Sequence, residues 1–484
     1  ITALPLCGGV ARTETMMRRS RRVLNLSRRQ LMQAGAVGVA AGLSASTRVW
    51  GSSGDAYSSS GGDGYSGKCL VTLQLEGGAD VTQLCDPKVN TTGEPKINNW
   101  ADSADPGQAG NLLYAPVADN EWLFNRFGAD MLVVNGVDAQ TNSHETGRLF
   151  NWTGSNAEGK PSLTALHAAY QSPNEPLAYA VFGGESRTSG IIGYNRFDDL
   201  NRLSQLAQPR MRQEHRYDDE GNLTDVVYQT VRSKAEYGRI DRLMSAEMAR
   251  GLSDPNLSPR QLQQLEQFAA ARTNRDALKK LADILPSGDE VQGYNQILVG
   301  TEWWGDNLKQ QMQGALLVFK SGLGSAADIS FGGFDSHENH DAIHESLYLH
   351  LADSIGYFWD YAEALGLADR IVLVIGSDFG RTNYYNDGQG KDHWPIGSYM
   401  IMEKNAPWGN RVVGRTDALH FAQRIDPTTL KESREGVLVT PAHVHKAIQE
   451  YLGLDLYAEE LGFALRDTES LPLFDPSLQT GVSS

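Results

Sequence analysis

The feature that most constrains this chain is a series of apolar runs of strand length, several of which end in glycine and are followed within a few residues by carboxylate or imidazole side chains. "CLVTLQLEGGAD" begins the series, and "MLVVNGVDAQTNSHETGRLFNW", "LAYAVFGG", "AADISFGG", "RIVLVIGSDFG" and "GSYMIME" continue it. Several of these runs are separated by stretches with helical spacing. Strands that alternate with helices predict an α/β fold, a central and mostly parallel sheet sandwiched by helices.

One helix is especially legible. From His340 to Leu367, Ile343, Leu347, Leu351, Ile355, Phe358, Ala362 and Leu365 recur at three- and four-residue steps, the spacing of a helix with one face against a sheet. Between about 195 and 293 the character changes. "SPRQLQQLEQFAAARTNRDALKKLADIL" is helical by spacing among long polar stretches, which predicts a helical insertion or cap on the sheet domain.

The first fifty residues belong to a different class. A basic region precedes a modest apolar run from Ala34 to Ala45, too short to span a bilayer as an ordinary helix. Arg28 and Arg29, after Ser27 and before Gln30-Leu31-Met32, have the form of a twin-arginine signal. That signal sends folded proteins across the bacterial inner membrane, so the expected location is periplasmic or secreted and the expected partner in export is the twin-arginine machinery. The signal makes best sense with translation starting at Met16 or Met17. Residues 51–67, almost all Gly and Ser, read as a flexible tether, which places the start of the folded domain near Lys68 and lets it run to residue 484.

The formal charge of −16 deepens when the leader is removed. Residues 1–50 carry eight Arg and a single acidic residue, so 35 basic and 58 acidic residues remain, a charge of −23. Such a protein repels nucleic acid and anionic lipid headgroups, and no stable membrane span is expected once the leader is gone. Cys69 and Cys85 would reach an oxidising compartment where pairing is permitted; their geometry decides whether it happens.

In open parallel sheets, ligands gather beyond the carboxyl ends of the strands. Four polar clusters follow strands in this way: Asp80, Ser143-His144, Asp335 with His337, and Ser377-Asp378 with Arg381, followed by Asp392-His393. Carboxylates and neutral imidazoles suit divalent ions, and two such ions can clamp a phosphoryl or sulfuryl group. Each cluster also has a plainer reading. Asp80 suits a turn or helix cap, and Ser143 suits the cap of the helix that follows. In the functional reading, Ser143 at a strand-to-helix turn is a nucleophile or a ligand, and Arg148 or Arg381 neutralises the oxygens of the transferred group. His340 and His344 are reserve ligands; with His350 they read as packing or surface groups, and His443 and His445 as structural or exposed. A redox metal is disfavoured by a donor set without thiolates.

With the leader, "LEGGADVTQLCDPK", "NSHETGRLFNWTG", "GGFDSH" and "VIGSDFGRTNYYNDGQGKDHW" together, the sequence resembles the bacterial exported family of domain of unknown function 1501. That family in turn resembles the alkaline phosphatase and sulfatase superfamily. The resemblance implies an alkaline phosphatase-like sheet between helices and a site with one or two divalent ions, zinc, manganese, calcium or magnesium. It implies that Asp335, His337 and His393 hold one ion and that Asp80 and Asp378 hold another, with Ser143 nearby. Three departures bear on the second ion: Glu76 precedes Gly-Gly where Asp is usual, Phe379 follows Asp378 where His is common, and His337 lies only two residues past Asp335. The expected function is an exported metal-dependent hydrolase acting on phosphate or sulfate esters of a small anion or polysaccharide. The alternative is a non-catalytic exported binding or surface protein on the same scaffold.

Overall fold

In the computed structural model, which describes residues 64–478 except 219–220, 222, 259–260, 263–264, 266–276, 287–289 and 300, the first strand sets the frame. Cys69–Leu75 (β1) is buried at all seven positions. Its side chains alternate between the two sides of the sheet. Val71, Leu73 and Leu75 enter one hydrophobic core, Leu70 enters the other, and Thr72 and Gln74 share Leu70's side as buried polar groups.

Seven further strands complete the sheet: Met131–Asp138 (β2), Tyr179–Val181 (β3), Asn195–Arg196 (β4), Ala326–Phe331 (β5), Ile371–Ser377 (β6), Ile396–Glu403 (β7) and Arg411–Val413 (β8). Their order is β8-β2-β7-β6-β1-β5-β3-β4. Only β7 runs against its neighbours, so the predicted mostly parallel α/β sheet is the observed one. β1 lies between β5 and β6 with Leu75 opposite both Phe331 and Ser377, so three strands end together at one edge.

Five helices cover the faces and position the edge: His144–Thr153 (α1), Leu163–Gln171 (α2), Leu308–Lys320 (α3), His340–Ala364 (α4) and Pro441–Tyr451 (α5). α3 and α4 pack in one core, while α2 and α5 contribute to the other. On α4, Leu347, Leu351, Ile355, Phe358 and Ala362 are fully buried, as their spacing predicted.

Three expectations are modified. The 195–293 stretch is not helical throughout: Asn195–Arg196 is the edge strand β4, Met211–Tyr217 pairs with Leu223–Thr230 as an antiparallel hairpin, and a helix follows at Lys234–Leu252. The helix owes its start to Ser233 and Glu236, which form a capping box. Most of the run 258–285 lies outside the described residues. The Gly/Ser tether also lies outside them up to residue 63, but Tyr65 already donates to Gly322 O at 2.8 Å and Arg370 Nε to Gly67 O at 3.0 Å, so docking begins before Lys68. Finally, Cys69 and Cys85 are free and buried; one opens β1 and the other lies beyond the turn at its far end.

Among the described residues, no helix is long and apolar enough to cross a membrane.

Candidate metal centre

At the shared edge of β1, β5 and β6, three imidazoles converge on one carboxylate. His337 Nε2 lies 3.0 Å and His393 Nε2 3.2 Å from Asp335 Oδ1, and His144 Nε2 lies 3.3 Å from Asp335 Oδ2. The two nitrogens His337 Nε2 and His393 Nε2 are themselves 3.2 Å apart. Ligand atoms of His144, Asp335 and His393 all fall within 4.8 Å of one another.

Each ring is aimed by an oxygen behind it. His144 Nδ1 donates to Asp378 Oδ2 at 2.7 Å, His337 Nδ1 to Asp392 Oδ1 at 2.9 Å, and His393 Nδ1 to the backbone oxygen of Asn142 at 2.7 Å. A carboxylate or carbonyl accepts, so Nδ1 is the donor, and in the neutral ring Nε2 keeps its lone pair. The Nε2 atoms of His144 and His393 and the Asp335 carboxylate then face one small volume, with His337 Nε2 beside Asp335 and His393 at its margin. In the neutral form such an arrangement suits a cation, and His144 Nε2 is buried without a hydrogen-bond partner. Nitrogen ligands oriented through their second ring nitrogen are the usual form of imidazole metal sites.

Local structure explains the convergence. Gly77 has φ +112°, and a Cβ there would come within 2.5 Å of Asp335 N, so the β1 turn can press against the Asp335 loop only with glycine. A Cβ on Gly390 would lie 1.8 Å from His337 O, which brings the segment carrying Asp392 and His393 against His337. α1 begins at His144, so the ring stands at the first turn of a helix.

Electrostatics keep the carboxylate ionised. Burial works to raise the pKa of Asp335, but the hydrogen bond and charge of Arg381, aided by His144 and His337, outweigh it and hold the group at about 2. Arg381 Nη2 reaches Asp335 Oδ1 at 2.6 Å. Glu76, half-buried at the end of β1, is shifted the other way by burial and by the nearby Asp378.

The structure brings together Asp335, His337 and His393 and separates the remaining expected residues. Asp378 stands behind His144: its oxygens accept from His144, from Gln74 Nε2 at 2.5 Å and from Gly77 N at 3.2 Å. Asp80 is fully buried elsewhere, accepting from Lys391 Nζ at 2.6 Å, His340 Nε2 at 2.8 Å and Thr82 N at 2.9 Å. It caps the short helix Val81–Gln83, the plainer role considered for it. Asp80 and Asp378 therefore do not form one ligand pair, because each carboxylate is surrounded by donors of its own. Phe379, at the position where His is common, packs its ring 4.8 Å from His144 and 4.7 Å from His393 as an apolar wall.

Ser143 is exposed at the cap position of α1, with no capping bond from its side chain. Arg148 is part-exposed and stands 4.0 Å from Glu185. Arg381, expected to meet the transferred group, is instead fully buried: Nε donates to Gly78 O at 2.9 Å, Nη1 to Lys391 O at 3.0 Å, and Nη2 to Gly77 O and Asp335. His340 and His344 are fully buried beside Asp80, while His350 pairs with Asp306. His443 completes the cap of α5, and His445 Nε2 meets Asn151 O at 2.8 Å.

The residue that sequence reasoning missed is His144. The Ser143-His144 cluster carries the signal: the sequence reading assigns its chemistry to the hydroxyl of Ser143, and the structure places the ring of His144 at the site instead.

A family model described as "Protein of unknown function (DUF1501)" matches residues 68–459. The chain belongs to the DUF1501 family. No curated protein matches it. Among solved structures, the DUF1501 chain is similar to the PsFucS1 sulfatase from Pseudoalteromonas sp., with 10% identity over 86% of this chain and 72% of that one, at a TM-score of 0.37. It is similar to a putative sulfatase from Bacteroides fragilis, with 9% identity over 83% and 76% of the two chains and a TM-score of 0.30. A mutant of the TAB5 alkaline phosphatase with Mg bound in its M3 site gives 9% identity over 72% and 94%, at 0.29. Overlap this distant leaves the activity of the DUF1501 chain to be read from its own residues.

Proposed function

We propose that this protein is an exported, metal-dependent hydrolase of phosphate or sulfate esters, with His144, Asp335, His337 and His393 as the metal-holding set. The observation that supports the reading is the convergence of three Nε2 lone pairs on an ionised carboxylate. Three imidazoles and one carboxylate suit zinc better than magnesium or calcium, which prefer all-oxygen sets. Bound there, a divalent ion would polarise an ester oxygen and acidify a water molecule.

The chain's own groups supply the rest. Asp378, Asp392 and the Asn142 carbonyl hold protons on the outer ring nitrogens and so fix the inner ones. With three neutral rings and one carboxylate, a divalent ion leaves the centre at +1, favourable for an anionic ester. Asp335 and His337 each retain 46% side-chain exposure, so substrate and water can approach. Arg148, part-exposed on α1 and 4.0 Å from Glu185, is the cation we assign to orient the ester; Phe379 closes the apolar side of the rings.

A second reading, a non-catalytic exported protein with a structural ion, is favoured by the same count: four protein donors complete the tetrahedral set of a structural zinc site. Metal content after native purification, followed by assays on generic phosphate and sulfate esters, separates the two. Stoichiometric metal with turnover lost in Asp335→Ala supports the hydrolase. Stoichiometric metal without turnover on either ester class supports the structural ion, and no metal overturns both. Export by the twin-arginine route rests on Ser27–Met32 and the apolar run after it; substituting Arg28 and Arg29 with Lys should retain the protein in the cytoplasm.

A further inference from the structure

Asp80 does not reach the cluster, yet it is linked to two of its three segments, the Asp335–His337 loop and the Asp392–His393 stretch. Asp80 Oδ2 accepts from His340 Nε2 at 2.8 Å; with that proton on Nε2, His340 Nδ1 accepts from Ser336 Oγ at 2.8 Å. Ser336 O accepts from Lys391 N at 3.2 Å, and Lys391 Nζ donates back to Asp80 Oδ2 at 2.6 Å. The ring of contacts is closed, and its four residues are between 0% and 3% exposed.

The positions of these residues in the chain give the ring its meaning. Ser336 lies between Asp335 and His337, and Lys391 directly precedes Asp392 and His393. Lys391 Nζ also approaches Thr82 Oγ1 at 3.4 Å and Asn98 Oδ1 at 3.3 Å, while Tyr348 OH donates to Asp80 O at 2.8 Å, so the ring is anchored to α4 and to the turn after β1. His344 Nδ1 donates to Ser336 Oγ at 3.1 Å.

We infer that Asp80, Lys391, His340 and Ser336 form a buried brace that sets the Asp335–His337 loop against the Asp392–His393 segment. They act as positioning residues for the metal centre. A buried ion pair contributes little net stability compared with apolar residues of the same volume, because both charges must leave water. A brace that fixes geometry explains why the charges stand directly behind the ligands. The metal part of this inference rests on the proposed centre; the ordering of the two segments does not.

The test uses the full chain with two variants. Asp80→Asn/Lys391→Met removes both charges without leaving either one unpaired, and Ser336→Ala removes only the hydroxyl link. Hydrogen–deuterium exchange in the presence of a chelator should show lost protection at residues 333–338 and 391–394, with the thermal transition retained. Zinc affinity, measured by competition with a chromophoric chelator, should fall about 10- to 100-fold, the effect usual for groups that orient ligands. Unchanged protection of both segments in a folded variant overturns the brace. If the double variant does not fold, Ser336→Ala decides by the same readout. If the wild-type protein binds no zinc, the metal reading fails while the exchange measurement still decides the brace.

Discussion

Replacing Asp378 with asparagine separates a metal ligand from a group that aims one. All three neighbours of the Asp378 carboxylate donate: His144 Nδ1 at 2.7 Å, Gln74 Nε2 at 2.5 Å and Gly77 N at 3.2 Å. An asparagine has one oxygen and must turn its NH2 toward one of them. The favourable arrangement keeps oxygen toward His144 and Gly77 and points NH2 at Gln74. Gln74 can then flip its amide provided that Asn151, whose Nδ2 donates to Gln74 Oε1 and whose Oδ1 is buried without a partner, flips with it and presents that oxygen to the Gln74 NH2. The fold therefore absorbs the change, while His144 loses an anionic acceptor. Groups in this position typically contribute 10- to 100-fold in affinity, or about 1.4 to 2.7 kcal/mol. The assay is zinc competition against a chromophoric chelator at neutral pH, beside Asp335→Ala as the reference for a lost ligand. An Asp378→Asn affinity equal to wild type, or a loss as large as that of Asp335→Ala, would refute the reasoning.

Other expectations follow from the same groups. Zinc affinity should fall on acidification, because metal binding to imidazole nitrogens competes with protons while Asp335, held at about 2, stays ionised; isothermal titration between pH 5 and 8 checks the slope, and a flat profile contradicts an imidazole-rich site. Asp328 is fully buried, and burial raises its pKa to about 6 despite hydrogen bonds from Thr164, Tyr179 and Thr72. Its protonated form favours folding, so that contribution is complete below about pH 4 and lost by about pH 6; Asp328→Asn should remove a slope worth up to about 3 kcal/mol, read by urea unfolding across that range. Leu351→Ala, at a fully buried position on α4, should cost about 2 to 5 kcal/mol of unfolding free energy in the same assay, and a change under 1 kcal/mol would contradict its core position.

The sheet and α4 were legible because their signals are local. Seven buried residues in β1, or Leu347, Leu351, Ile355 and Phe358 on one face of α4, declare themselves through spacing over a dozen neighbours. The hairpin Met211–Tyr217 with Leu223–Thr230 was missed for the converse reason: its first strand is mostly polar, so no apolar alternation marks it. The metal centre was half legible. Asp335, His337 and His393 carry the expected chemistry, but nothing local marks His144 above the adjacent Ser143, because its partners Asp378 and Asp335 reach it only in the fold.

The sequence by itself determined that this chain builds an α/β sheet with carboxylates and imidazoles beyond its strand ends, since periodicity and residue type suffice for both. Only the tertiary structure decided their roles. Asp80, Asp378 and Asp335 each follow a strand by a few residues and are alike as letters, yet one is braced by a buried lysine, one aims a histidine, and one faces three imidazoles. The difference lies in which donors surround each carboxylate. Those groups come from segments as far apart as His144 and His393, brought together only when the strands pair and their ends align.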